Sequence, residues 1–186
     1  MTFKTIRCCA ALAIPLAILL LAGCATQKPA PVARLGLKLA PAALGDTISL
    51  QQHLTVERGG RIDELDAAIE VDPASVSMVG LAFGQRVLTI DYDGKELKTW
   101  RHLMLPAQVR AEDVLEDMQM ALWPVAAVAA ALPAGWRIEE DGMQRRLFLG
   151  QELVTTVAYS ATPRWNGTIK MDNLRYKYRL TIQSAQ

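Results

Sequence analysis

The chain has 186 residues, with 20 basic and 19 acidic side chains, a formal net charge of +1 and a hydrophobic content of 51%. Residues 1–23 hold two of the bases and none of the acids, so the other 163 residues carry a charge of −1 and are about 48% apolar, an ordinary globular value. This near-neutral remainder excludes broad electrostatic binding to nucleic acid, and its length fits one domain with a substantial core.

Residues 1–23 have the organisation of a signal peptide. Lys4 and Arg7 give a positive start, and the apolar run from Cys8 to Leu21 is too short for a membrane span, which needs about 20 residues. The run ends in Leu-Ala-Gly-Cys24, which resembles the lipobox of bacterial lipoproteins. The resemblance implies cleavage before Cys24, a lipid thioether on its thiol and acylation of the new amino group, for example by palmitate. The alternative is a chance cysteine beside an ordinary cleavage site.

The residue after the lipidated cysteine indicates to which membrane a lipoprotein of this kind is sorted. In lipoproteins of this kind, Asp at this position commonly signals retention in the inner membrane, so Ala25 implies transfer to the outer membrane. Cys8 and Cys9 leave with the signal peptide, so the mature body beyond Cys24 contains no cysteine for a disulfide, a nucleophile or a metal site. We therefore expect a lipid-anchored protein on the periplasmic face of the outer membrane.

Residues 24–45 form the expected tether, because Pro29, Pro31 and Pro41 interrupt a stretch with little hydrophobic pattern. Residues 46–186 then alternate between apolar and polar side chains, for example over 65–71 and 174–182. The breaks between runs are hairpin-type turn dipeptides: Gly59-Gly60, Asp93-Gly94, Asp141-Gly142, Gly150-Gln151 and Asn166-Gly167. This pattern predicts a single domain with about nine to eleven strands in an antiparallel meander.

One helical region interrupts the meander. Apolar residues within Ala111–Trp123 recur at the spacing of one helix face, with acidic residues in the first turn. After Pro124, the wholly apolar run Val125–Leu132 predicts a short helix that is buried on all sides. The expected fold class is therefore mainly β (α+β), a large curved antiparallel sheet or unclosed barrel with a helical lid over its open face.

The apolar stripe of this lid provides the candidate ligand-lining residues, which are Leu115, Met118, Leu122, Trp123 and Val125. Core packing and ligand contact are equally consistent with such a stripe, because the flexible thioether of methionine also adapts to a flexible guest. The acidic groups around Asp63, Glu112–Asp117 and Glu139–Asp141 fit solvated positions better than paired catalytic carboxylates. His53 and His102 belong to no spaced ligand set, so neither a metal nor another cofactor is expected.

Several segments together carry a family resemblance. These are the lipobox, SLQQHLTVERGG, LEDMQMALWP (115–124), ALPAGW (131–136) and NLRYKYRLTI near the end. They resemble an uncharacterised family of proteobacterial lipoproteins that recurs in gene clusters for aryl polyene and related fatty-acid-like synthesis. More remotely, the architecture is similar to LolA and LolB, the periplasmic lipoprotein carrier and its outer-membrane receptor, in which an unclosed barrel with a helical lid encloses acyl chains.

The resemblance implies an outer-membrane lipoprotein that binds a hydrophobic, acyl-chain-like ligand and helps deliver it to the outer membrane. The ligand would be a lipid, a lipoprotein acyl chain or a polyene lipid, and a periplasmic carrier is one possible donor. An alternative is a structural or interaction protein of the cell envelope whose barrel is filled by its own side chains. An enzyme is not expected, because the chain has no GxSxG motif and no histidine dyad.

The lipobox generates a first prediction. Cys24→Ser removes the thiol on which both processing steps depend, so we expect an uncleaved precursor that incorporates no radioactive palmitate and stays in the inner membrane. Ala25→Asp is the matched variant: it should keep the palmitate label and move the protein from the outer to the inner membrane fraction. Equal palmitate incorporation in the Cys24→Ser variant and the wild type would disprove the lipobox assignment.

Overall fold

The computed structural model describes residues 34–185, which contain ten β-strands and two α-helices. In chain order the elements are a 3-10 helix (Pro41–Leu44), β1 (Ile48–Arg58), β2 (Arg61–Val71), β3 (Val76–Ala82), β4 (Gln85–Tyr92), β5 (Leu97–Arg101), α1 (Ala111–Leu122), α2 (Val125–Ala131), β6 (Trp136–Asp141), β7 (Gln144–Leu149), β8 (Glu152–Tyr159), β9 (Thr168–Asn173) and β10 (Tyr178–Ser184). The mainly β class with a helical insert is confirmed, and the strand number lies within the expected range. No helix of these residues is long and apolar enough to cross a membrane.

All ten strands belong to one open antiparallel sheet. The spatial order is β5-β4-β3-β2-β1-β10-β9-β8-β7-β6, so the sheet consists of two five-stranded meanders joined by the pairing of β1 with β10. In this central pair Gln52 lies opposite Ser184, and Arg58 lies opposite Tyr178. The edges, β5 and β6, do not pair with each other, which confirms the expectation of an unclosed sheet.

The turn dipeptides lie where the sequence predicts breaks. Four of the five connect consecutive strands, and Asn166-Gly167 directly precedes β9. Gly59 and Gly60 between β1 and β2 both have positive φ angles, 57° and 80°. A two-residue hairpin turn of this type needs left-handed backbone at both central positions, which favours glycine. The turn thereby fixes Arg58 directly opposite Arg61.

The last strand is shorter than the alternation suggests. Residues 174–177 form a turn instead of strand, and β10 begins only at Tyr178. The Asn173 side chain accepts a hydrogen bond from the Tyr176 backbone N–H at 2.9 Å, and Lys177 has left-handed backbone with φ of 53°. Such an Asx-type turn competes with strand pairing, so the alternation over Leu174–Tyr178 is accidental.

Both predicted helices are present, but the second is not buried on all sides. In α2 the buried residue is Val128, and most of its alanines face solvent. An alanine methyl group gains little from burial, so an alanine-rich run does not require an enclosed position. The helix packs beside β6 and returns the chain to the sheet.

The sheet curves around α1. At the C-terminal end of the helix, Arg145 of β7 donates a hydrogen bond to the Met120 carbonyl at 2.7 Å, and the Tyr159 hydroxyl of β8 donates to the Ala121 carbonyl at 2.8 Å. The same helix also packs on β4, in the other meander. A single helix reaches both meanders because the sheet is concave, and the main core lies between α1 and this concave face.

Residues 34–44, which the sequence analysis assigns to the tether, pack against α1. Leu35, Leu37, Leu39 and Leu44 are buried in this N-terminal segment. Its backbone follows α1 in the same direction, and the buried Gln119 side chain both accepts from the Leu39 N–H at 2.8 Å and donates to the Leu39 carbonyl at 2.9 Å. These bonds give an extended backbone the partners that burial demands.

The Gln119 contacts generate a second prediction. Gln119→Leu conserves much of the volume but leaves the buried N–H and C=O groups of Leu39 without partners, so we expect the free energy of unfolding to fall by about 2–4 kcal/mol. Urea unfolding measures this change. The control is Gln151→Leu at an exposed turn, which should stay within about 0.5 kcal/mol of the wild type. A Gln119→Leu variant as stable as the control would mean that residues 34–44 do not pack on α1.

Candidate functional site: an apolar cavity with a charged mouth

A cavity of about 190 Å³ lies between α1 and the concave face of strands β1–β4 and β10. An apolar cavity of about 150 Å³ is known to hold benzene, so this cavity has room for roughly eight carbon atoms. The apolar residues that line it include Leu54, Val56, Leu65, Ile69, Met78, Val87, Leu88, Val114, Met118, Ala121, Leu122, Leu180 and Ile182, together with Leu105, Pro106 and Val109 of the loop before α1. This arrangement accommodates part of one hydrocarbon chain, and the volume is too small for several chains.

Three neighbouring strands make the cavity apolar inside and charged at one end. Because alternate residues of a strand face the same side, cross-strand neighbours form rows on the concave face. From the interior to the mouth, and from β2 through β1 to β10, the rows are Leu65–Leu54–Ile182, Asp63–Val56–Leu180 and Arg61–Arg58–Tyr178. All nine residues line the cavity, so polarity changes along it within four residues of β1.

The structure separates the five candidate lid residues into two groups. Met118 and Leu122 are buried and line the cavity. Leu115 and Trp123 are fully buried outside the cavity lining, and the Trp123 indole N–H donates to the Ala40 carbonyl at 3.1 Å. Val125, at the start of α2, is half-buried and also lies outside the lining. Cys24 and Ala25 lie outside the described residues.

Sequence reasoning missed the strand side of the cavity. Val56 and Leu180 contribute to the lining although neither is among the candidates. The signal was available, because the alternation of β1 and β10 places both residues on the inward face. Their half-buried state distinguishes them from ordinary core residues, and only the folded sheet shows it.

An acidic cluster lies beside the mouth, on the side of α1 that faces the N-terminal segment. Asp113, Glu116 and Asp117 surround the guanidinium group of Arg34, with N–O distances of 3.4, 4.0 and 3.8 Å. The Tyr178 hydroxyl donates to the Asp117 carboxylate at 2.5 Å. The sequence analysis places these acids at a solvated helix start, whereas their side chains are only 10–17% exposed. These acids are buried because Arg34 lies among them. The sequence analysis assigns Arg34 to the tether and therefore does not consider it as their partner.

The charges of this cluster do not balance. Three carboxylates share one guanidinium, although Glu116 also accepts a hydrogen bond from the Gly36 N–H at 2.6 Å. Burial is the main cause that raises the pKa of Asp117 to about 7, and the charges of its acidic neighbours add to it, against the opposing effects of Tyr178 and Arg34. Burial also raises the pKa of Glu116. The cluster therefore retains a proton up to neutral pH.

The two histidines lie apart from this site. His53 contacts Asp66 at 2.9 Å on the exposed face of the sheet, and His102 accepts a hydrogen bond from the Met104 N–H at 3.1 Å. Across residues 34–185, no group of three His, Cys, Asp or Glu side chains is placed to hold a metal ion. The geometry of the cavity itself supports non-covalent binding of an apolar guest.

Fold and cavity together define a class of protein: an open antiparallel sheet wrapped around one helix, with an apolar pocket between them. The chain belongs to the family described as protein of unknown function DUF3261, whose model matches residues 49–186. This range includes both helices and nearly the whole sheet, so an uncharacterised family is confirmed. A comparison with curated proteins finds no match.

The buried carboxylate generates a third prediction. The pKa of Asp117 in the folded protein, about 7, is above its ordinary value of 3.8, so the folded protein binds more protons than the unfolded chain between about pH 4 and pH 7. The contribution of Asp117 to the free energy of unfolding therefore falls as pH rises through this window, by at most about 1.4 kcal/mol per pH unit.

Asp117→Asn should remove this contribution and make the protein more stable than the wild type at pH 8. Urea unfolding at a series of pH values measures the difference in the free energy of unfolding between the variant and the wild type. The exposed Asp141→Asn is the control and should follow the wild-type curve. A difference between Asp117→Asn and the wild type that is independent of pH would contradict the burial of an ionisable Asp117.

Proposed function

We propose that this protein is an outer-membrane lipoprotein that binds one acyl-chain-like ligand in its cavity and helps deliver the ligand to the membrane. The observation that carries the proposal is the apolar cavity between α1 and the concave sheet, with Met118 and Leu122 on the helix side. Cys24 and Ala25 supply the proposed anchor and destination, and the resemblance to LolA and LolB supports the same type of cargo. A donor carrier and a link to aryl polyene synthesis belong to this proposal.

The size of the cavity suits reversible binding. About eight buried carbons contribute roughly 6 kcal/mol at about 0.8 kcal/mol per CH₂ group. Since 8.2 kcal/mol corresponds to a Kd of 1 μM, the cavity alone gives binding weaker than micromolar even before the entropy loss of the ligand is counted. A carrier needs affinity of this order, because a ligand held much more tightly is not passed on.

The two ends of α1 differ in how firmly they are held. Its C-terminal end is fixed by Arg145 and Tyr159, whereas its N-terminal end follows the loop of residues 102–110, five of which line the cavity. In this loop Leu103 is 99% exposed. Opening of the mouth therefore requires movement of the loop and the first turn of α1, while the far end of the helix stays in place.

The mouth lies at the end of the sheet where apolar side chains are exposed. Six large hydrophobic residues at this end are more than 40% exposed: Ile62, Phe83, Trp100, Leu103, Met104 and Leu174. The antiparallel register places their turns and strand ends together, since Arg58 is opposite both Arg61 and Tyr178 and Leu88 is opposite Arg101. A cluster of exposed apolar residues marks an interaction surface, and a lipid surface fits an anchored protein.

Filling the cavity tests the proposal. Val114→Phe adds bulk to a half-buried lining residue, so we expect labelling by a photoreactive fatty acid to need at least tenfold more probe. The full chain in lipid nanodiscs is the sample, and urea unfolding of the same variants shows whether the fold is intact. Because cavity filling often stabilises a protein, the unfolding midpoint should stay the same or rise.

Val125→Phe is the matched control, because Val125 is also half-buried at the start of a helix but lies outside the cavity lining. It should label like the wild type. If Val114→Phe and Val125→Phe label equally, the cavity does not bind acyl chains. A wild type that takes up no label at all would favour the alternative of a structural envelope protein.

A further inference from the structure

We infer that the ligand of the cavity is a single-chain anionic amphiphile, whose carboxylate or phosphate head binds Arg58 and Arg61 at the mouth while its chain lies inside. This inference rests on the proposed function, because it specifies the chemistry of the same ligand. It is carried by an arrangement of charges that the fold alone does not explain.

The two arginines are placed directly opposite each other. Arg58 of β1 and Arg61 of β2 are cross-strand partners next to the Gly59-Gly60 turn, and both line the cavity. Like charges at directly opposed positions of an antiparallel pair destabilise the hairpin. A bound anion between them removes this repulsion, so the pair gains stability when the site is filled.

The other basic side chains at the mouth already have acidic partners. Arg61 contacts Asp63 at 3.0 Å, Arg110 contacts Glu112 at 3.6 Å, and Arg34 is enclosed by the acidic cluster. Arg58 differs from them, because it forms no ion pair with any residue of the described range 34–185. Its guanidinium group lies 5.9 Å from the centre of the Tyr178 ring.

Arg58 therefore supplies the cation that an anionic head requires. Its guanidinium carries a fixed fork of N–H donors, which matches the paired oxygens of a carboxylate or phosphate. The Tyr178 ring limits its movement on one side, and β10 continues from there into the apolar Leu180 and Ile182 rows. A chain that enters at Arg58 meets no further cation along these rows, so the ligand is polar at one end only.

Competition against a photoreactive fatty acid tests the inference, with the full chain in nanodiscs. The competitors are decanoate, decyl phosphate and decanol, which share one chain and differ in the head. For the wild type we expect that displacing the probe requires an about tenfold higher concentration of decanol than of the better of the two anions. The better anion then identifies the head group. Arg58→Gln should reduce this preference to about one, with decanol competition unchanged.

Arg86→Gln is the matched control. Arg86 also lacks an ion pair among the described residues, but it lies over the Trp100 ring outside the cavity lining, so its loss should not alter the preference. Partition of the competitors into the bilayer is the same for every variant. A change in the ratio of decanol to anion concentration therefore reflects a change in binding to the protein. Arg58→Lys should restore part of the preference.

Two results would overturn the inference. Equal competition by the anions and decanol in the wild type would exclude recognition of the head group. If all three compounds still displace the photoreactive fatty acid, the proposed binding of an acyl chain in the cavity stands. An Arg58→Gln variant that loses decanol and anion competition to the same extent would show that Arg58 only supports the fold. If no compound displaces the probe from the wild type, the proposed function fails together with the inference.

Discussion

The twelve-residue helix α1 is the main cover of the concave face of a ten-stranded sheet, and much of the structure follows from this constraint. Such a helix is about 18 Å long and about 10 Å wide. Ten strands at a spacing of about 4.8 Å extend over roughly 43 Å, so even a strongly curved sheet leaves space beside the helix. On one side the N-terminal segment (residues 34–44) fills this space, and on the side of β1–β4 the cavity remains.

Because α1 is enclosed, its polar groups need partners inside the protein, and these partners determine how it is held. Arg145 and Tyr159 satisfy carbonyl groups at its C-terminal end, and Gln119 binds the backbone of the N-terminal segment. At the other end the acidic side chains of α1 surround Arg34 of the N-terminal segment. At the C-terminal end of α1 the side chains bind backbone carbonyl groups, whereas near the mouth they pair a cation with acidic side chains.

The sequence contains the local features of the fold and few of its long-range ones. Turn dipeptides such as Gly59-Gly60 and the helical spacing of Met118 and Leu122 depend on near neighbours, so the strand number and the helices are predictable. The packing of Leu35, Leu37 and Leu39 depends on Glu116 and Gln119, about 80 residues away, and proline-rich surroundings conceal their alternation. The burial of Asp117 was missed for the same reason, since its cation, Arg34, comes from that segment.

The candidate site shows the same limit. A helical stripe indicates which residues of α1 face inward, but not which of these meet a cavity and which meet another part of the chain. Met118 and Leu122 face the sheet, whereas Trp123 binds the carbonyl of Ala40 in the N-terminal segment. The hairpin turn predicts that Arg58 and Arg61 lie opposite each other. That they lie at the mouth of a cavity depends on Tyr178, which is about 120 residues further along the chain.

The pairing of β1 with β10 at the centre of the sheet also governs the order in which the chain acquires its structure. Each meander is built from neighbouring hairpins, which close short loops quickly, whereas the joint between Gln52 and Ser184 closes a loop of more than 130 residues. Until β10 emerges, β1 and β9 both present unpaired backbone, which invites aggregation. Contacts of such long range slow folding, so the completed sheet forms late and depends on β10 (Tyr178–Ser184).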